Sequence, residues 1–141
     1  MTPVQLVEQL LAVVPARDAA AFTAFFADDA AFELPFGPGG APVRIEGREA
    51  IRAALAQGWS ATSAVQVHAI HPRIYATDDP EVVIVENEVE VTRPGQERTR
   101  VRSAVNVIHV RDGAVVLFRD YLDPAPMAAA AARAGHGSVN G

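Results

Sequence analysis

Cysteine is absent from this 141-residue chain, which excludes disulfides, thiol nucleophiles and zinc–thiolate sites at once. Lysine is absent as well, and the arginines are spread along the chain without a basic run. With 12 basic against 17 acidic residues and a net charge of −5, nothing favours nucleic acid or an anionic membrane as partner, since both need clustered positive charge. No apolar run approaches a bilayer span. The opening MTPVQLVEQL carries polar residues where a signal peptide needs an unbroken apolar core, so the expected location is cytoplasmic. Hydrophobic residues nevertheless make up 50%, and a chain of this length can bury one core with a cavity but not two. A single domain over residues 1–134 is expected, with GHGSVNG at 135–141 as a flexible tail.

Helical signals come first. Thr2, Pro3 and Gln5 combine a capping hydroxyl, a first-turn proline and a Gln three residues after the cap. Val4, Val7, Leu10, Leu11 and Val14 then recur at helical spacing until Pro15 stops them. A second helix is expected from Asp18, with Phe22, Phe25 and Phe26 on one face, ending at Asp28-Asp29. A short strand, Ala31 to Leu34, leads into PFGPGGAP, a loop by its Pro/Gly density. A third helix runs from Gly47 to Gln57, with Ile51, Leu55 and Trp59 towards the inside.

After Trp59 the period changes to two. Strands are expected at Val65–Tyr75, Val82–Thr92, Thr99–Val110 and Val115–Leu122, with turns at Asp79-Pro80, Pro94-Gly95 and Asp112-Gly113. A last helix is expected from Asp123-Pro124 to Ala134. Helices first and an antiparallel meander afterwards is an α+β pattern rather than βαβ winding.

Four stretches then carry a resemblance. FADDAAFELPFG at 26–37 resembles the first strand region of ketosteroid isomerases, and EGREAIRAAL resembles the third helix of SnoaL-like proteins. HPRIYATDDPEVVIVENEVEV and VIHVRDGAVVLFRDYLDP resemble the SnoaL-like sheet, above all that of the phenazine-biosynthesis A/B family. Over residues 2–130 the chain is thus similar to the nuclear transport factor 2-like superfamily. The resemblance implies a cone-shaped, curved, mostly antiparallel sheet covered by three N-terminal helices around a central cavity. It does not name a reaction, because the fold hosts isomerases, cyclases, dehydratases, epoxide hydrolases and binding modules. The ketosteroid isomerase residues are also missing: its Tyr falls on Leu10, its Asp base on Leu34 and its oxyanion-side Asp on Asn106. Leucine neither donates a hydrogen bond nor takes a proton, so that mechanism is excluded.

Asp120 is the first candidate for chemistry. The resembling phenazine proteins carry a catalytic Glu in the FRDYLDP motif, and alternation puts Phe118, Asp120 and Leu122 on one face. Desolvation there would raise its pKa and suit it to general acid–base work; the competing reading is a surface carboxylate paired with arginine. Asn106, in VNVI, offers an amide donor to a developing oxyanion, or is an amide satisfied by backbone. His71 shares parity with Val65, Val67 and Tyr75, and either assists Asp120 or is structural. Leu10, Val14, Phe26, Leu34, Leu55, Trp59, Phe118 and Leu122 are the expected substrate-contacting residues, many of them equally core.

Glu86, Glu88 and Glu90 face Arg102, Arg100 and Arg98 if the hairpin pairs symmetrically about Pro94-Gly95. That register puts Asn106 on the glutamate face, so either a bulge near Arg102 resets the alternation or Asn106 points outward. The charged, valine-bearing outer face suits a homodimer. No His and carboxylate spacing suggests a metal, and no cofactor is expected. The expected function is a cofactor-free isomerase, cyclase or dehydratase acting on a small polyketide-like or aromatic metabolite. The alternatives are a non-catalytic binding protein and, lower, an epoxide hydrolase, which needs two acids and an arginine around one water.

Overall fold

The structure, a computed structural model, describes residues 1–122. The expected C-terminal helix and the tail lie outside the described residues. Helix α1 (Pro3–Ala12) starts at the capping box read from the sequence: Gln5 N donates to Thr2 Oγ1 at 3.1 Å and Thr2 N donates to Gln5 Oε1 at 2.9 Å. A short 3-10 turn (Val14–Ala16) ends at Arg17, whose left-handed φ of 50° redirects the chain. Asp18 then caps helix α2 (Ala19–Thr23) by accepting from Ala20 N and Ala21 N.

Helix α2 is shorter than its phenylalanine spacing predicts. The chain is already strand at Phe26, where β1 (Phe26–Leu34) begins, because Val115 N takes the Phe25 carbonyl at 2.9 Å and sheet pairing overrides helical spacing. Strand β2 (Val43–Glu46), next to the loop PFGPGGAP, is not among the expected elements; its Val-Arg-Ile-Glu alternation is a period-two signal only four residues long. Gly47, at φ 93°, turns the chain into helix α3 (Arg48–Ala61), which runs a turn past its expected end.

The remaining strands are β3 (Gln66–Ala76), β4 (Val82–Thr92), β5 (Thr99–Arg111) and β6 (Ala114–Leu122). They form one curved open sheet in the order β2-β1-β6-β5-β4-β3. All neighbours are antiparallel except β1 and β6, which run parallel. Asp112 and Gly113, both at positive φ, make the two-residue β5–β6 hairpin that an Asp-Gly pair favours.

Apolar residues from the helices and the inner sheet face share one core: Leu6, Val7, Leu10 and Leu11 from α1, Phe22, Ile51, and Val83, Val85, Ile108, Val115 and Phe118 from the strands. Phe118 is its aromatic centre, with ring centroids 5.2 Å from Phe32, 5.7 Å from Phe22 and 6.1 Å from Phe26. No helix among the described residues is long and apolar enough to cross a membrane.

Two bulges decide which side chains face inward. On β5, Asn87 pairs with Ala104 but Glu88 pairs with Arg102, leaving Ser103 as the extra residue. One inserted residue flips the faces that follow, so Arg100 and Arg102 point outward while Ala104, Asn106 and Ile108 point inward. On β3 the register shifts between Val67 and Ala69, so His68 is the extra residue. His71 is thereby turned away from Val67. The glutamate–arginine ladder stands on the outer face, with Arg98 on Glu90 at 2.5 Å and Arg100 on Glu88 at 2.5 Å; Glu86 instead accepts from the Tyr75 hydroxyl.

Candidate active site

Between the helices and the inner sheet face lies a cavity of about 960 Å3. Val14, Phe22, Leu55 and Trp59 wall it from the helical side, and Phe32, Val67, Ile70, Val89, Phe118 and Leu122 wall it from the sheet. Three polar residues from adjacent strands stand on this apolar floor: Asn87 on β4, Asn106 on β5 and Asp120 on β6. Asn106 and Asp120 are direct cross-strand partners, which brings their side chains together.

They form a directed chain. Asn87 Nδ2 donates to Asn106 Oδ1, and Asn106 Nδ2 donates to Asp120 Oδ1 at 2.9 Å. Asn87 and Asn106 are 6% and 3% exposed, and the surface Asp120 leaves open faces the cavity. Burial pushes the Asp120 carboxyl up from 3.8 to about 6, and the Asn106 hydrogen bond partly opposes the rise. Near neutral pH such a group exchanges a proton readily in either direction. Asp120 Oδ2 accepts no hydrogen bond among the described residues, which leaves it open to a ligand. Asn87 Oδ1 is buried without a partner among the described residues.

Several sequence-derived candidates meet here: Asp120, Asn106, Val14, Leu55, Trp59, Phe118 and Leu122 all border the cavity. Asn106 differs in one respect, since its amide is joined to Asp120 and Asn87 rather than standing alone as an oxyanion donor. Leu10 and Phe26 are closed off in the core at 0% and 2% exposure. Leu34 lies beyond Phe32 on β1 and packs against the core without bordering the cavity. His71 is on the outer face, where its Nε2 lies 2.6 Å from Glu90 Oε1; the bulge at His68 puts the whole sheet between it and Asp120. Glu33 also points away, bound to Arg119 at 3.1 Å and Arg44 at 3.2 Å.

The sequence reading misses Asn87, although it shares parity with the inward valines 83, 85, 89 and 91 and is readable from that pattern. It misses Arg17 and Arg93 too; both line the cavity. Arg44, Arg48, Arg52, Arg98, Arg100, Arg111 and Arg119 are each paired with a carboxylate. Arg17 and Arg93 have no such partner among the described residues. Among those residues, no three His, Asp or Glu side chains converge as a metal site.

The structure is an α+β fold with a carboxylate, Asp120, on the floor of an apolar cavity between helices and sheet. Residues 7–118 match the SnoaL-like domain, and the chain belongs to that family. It is 29% identical over 128 residues to the uncharacterized protein YesE of Bacillus subtilis (strain 168), spanning 85% of this chain and 80% of YesE. A crystal structure from Bacillus subtilis, of a protein proposed to be an isomerase, superposes with a TM-score of 0.71 at 27% identity over 86% of both chains. SalBIII, an epoxide hydrolase/cyclase-like enzyme of pyran ring formation in polyether salinomycin, is similar at 26% identity and a TM-score of 0.63, over 86% of this chain and 90% of that one. The fold is thus one related to isomerases, polyketide cyclases and epoxide hydrolase-like enzymes.

Proposed function

We propose that the protein is a cofactor-free acid–base enzyme, an isomerase, cyclase or dehydratase acting on a small polyketide-like or aromatic metabolite. The observation that carries this reading is Asp120, a carboxylate on an apolar cavity floor with its pKa raised to about 6 and one oxygen open. Ionised Asp120 takes a proton from a carbon next to a carbonyl, the electron pair moves onto the carbonyl oxygen, and the protonated acid returns the proton to another atom of the same ligand. Phe118, Trp59 and Leu55 exclude water and hold a planar skeleton by stacking and apolar contact.

The two asparagines position the acid in both protonation states. With Asp120 ionised, the chain of donors runs Asn87 to Asn106 to Asp120. Once Asp120 carries the proton, half-turns of both amides let its O–H donate to Asn106 Oδ1 and Asn106 Nδ2 donate to Asn87 Oδ1. That reversal brings Asn87 Oδ1, buried without a partner among the described residues, into the chain and turns Asn87 Nδ2 to the place it leaves. The relation to epoxide hydrolase-like proteins does not extend to their two-acid requirement: Asp120 is the one carboxylate bordering the cavity among the described residues.

The reaction is tested without knowing the substrate by incubating the protein in D2O with a panel of aryl ketones and β-dicarbonyls and following loss of α-proton NMR signals. Exchange should be catalysed, and Asp120→Asn should slow it by roughly 10²–10⁴. Equal rates for parent and variant across the panel would leave a binding protein. We further propose that the protein is a homodimer through the outer sheet face, supported by the exposure there of Val105 and Tyr75 beside the ion-pair ladder.

A further inference from the structure

The open end of the cavity is built differently from its floor. Arg93 directly follows Thr92, the last residue of β4, and, with Pro94 and Gln96 of the β4–β5 turn, borders the cavity. Arg17 reaches the same end: it donates to the carbonyl oxygens of Thr62 at 3.0 Å and Val65 at 2.7 Å. Val65 directly precedes Gln66, which pairs with Thr92, the neighbour of Arg93. Arg17 and Arg93 therefore both border the cavity near this end. Of the acids in the turn and ladder nearby, Glu90 is bound to Arg98 and His71 on the outer face, and Glu97 does not border the cavity.

Placing unneutralised charge beside an apolar cavity is unfavourable unless something of opposite sign arrives. Arg73 and Arg102, also without an ion pair among the described residues, lie in the outer-face ladder beside Glu86 and Glu88, so Arg17 and Arg93 are set apart by their place on the cavity. Arg17 is tied to two carbonyls and contributes its charge. Arg93 keeps a free fork of donors, the geometry that takes a carboxylate or phosphoryl group through two hydrogen bonds.

We infer that the ligand is an elongated, mostly apolar organic anion whose charged group is held at the rim by Arg93, with Arg17 adding to the field, and whose reacting atoms lie against Asp120. Arg93 lies six residue steps beyond Asn87, about 20 Å along an extended chain, before the arginine reaches back. The anionic group is therefore at the far end of the ligand from the reacting atoms, which also keeps it away from ionised Asp120. A cavity of about 960 Å3 accommodates a molecule of that length. The inference rests on the reading that this cavity is the substrate site.

The test uses a matched pair, phenylhexanoate and its primary amide, titrated into the full chain by calorimetry and by the emission of Trp59, the single tryptophan, which lines the cavity. The carboxylate should bind about tenfold or more tighter than the amide, equivalent to about 1.4 kcal/mol, and the advantage should shrink as salt is added. Arg93→Gln should bring the two affinities to within about twofold by weakening that of the carboxylate; the Arg93 side chain makes no hydrogen bond or ion pair among the described residues, and the turn bond from Gln96 N to its backbone carbonyl is kept by any residue there, so the fold stays intact. Equal affinities in the parent, a carboxylate preference that survives in Arg93→Gln, or no binding of either compound at its solubility limit would each overturn the inference. Asp120 titrating near neutrality in that event would leave the acid–base reading standing. Retention of the carboxylate preference with Asp120 titrating at its ordinary value would sink the acid–base reading alone.

Discussion

Replacing Asp120 by Asn should make the protein more stable at neutral pH. The carboxyl is raised from 3.8 to about 6, chiefly by burial. Because the folded state binds this proton more tightly than the unfolded chain, stability falls as pH rises from about 3.8 to about 6 and stays level above that. At about 1.4 kcal/mol per pKa step, the charged form costs the fold about 3 kcal/mol at pH 7. The substituted amide would keep the shape and an acceptor for Asn106 Nδ2 but carry no charge. Its bond to Asn106 is weaker than the charge-assisted one, so about 1–3 kcal/mol of the cost is recovered. For a domain of this size each kcal/mol moves Tm by about 2–4 °C, so the variant should melt roughly 2–12 °C above the parent at pH 7. The gap should close towards pH 4, where folded Asp120 is already protonated. Circular dichroism melts of both proteins at matched pH isolate the residue, since every other carboxylate is common to the two. A variant less stable than the parent, by an amount independent of pH, would refute the reasoning and make Asp120 a structural hydrogen-bond partner.

Asn106→Leu should destabilise the fold by about 1–3 kcal/mol, since it strands the buried Asn87 amide, and should lift Asp120 still higher because the one hydrogen bond that lowers it is lost; urea unfolding and carboxyl titration read the two effects. His71→Gln should leave α-proton exchange within about twofold of the parent rate, because His71 contacts Glu90 on the outer face; a loss comparable to that of Asp120→Asn would return it to the chemistry. Sedimentation equilibrium should give twice the chain mass at micromolar concentration, and Val105→Arg should shift the particle to monomer; a parent already monomeric would remove the dimer.

The parts of this architecture written in local chemistry are legible in the sequence. The Thr2–Gln5 capping box, the Asp112-Gly113 hairpin and the period-two strands specify themselves through neighbours a few residues apart. The helix expected over Phe22–Phe26 fails because its limit is set by pairing with Val115, some ninety positions away. The inward residues Phe118, Asp120 and Leu122 at the end of β6 follow from simple alternation, and Asp120 is found that way. His71 is lost for the reason that Asn106 is kept: each lies beyond a single bulged residue, His68 or Ser103, that reverses the face of everything after it. Neither bulge leaves a mark in composition, because His and Ser are ordinary strand residues. Arg17 and Arg93 are invisible as a pair, since their meeting depends on how α3, β3 and the β4–β5 turn close over one rim.

The chemistry proposed for this cavity stands on Asp120 being a poised acid–base group on its floor. The Asp120 carboxyl carbon, followed by NMR across pH with Asp120→Asn identifying the resonance, reports that directly. Its midpoint should fall near 6. A midpoint at or below 3.8, the ordinary value, would contradict the acid–base role.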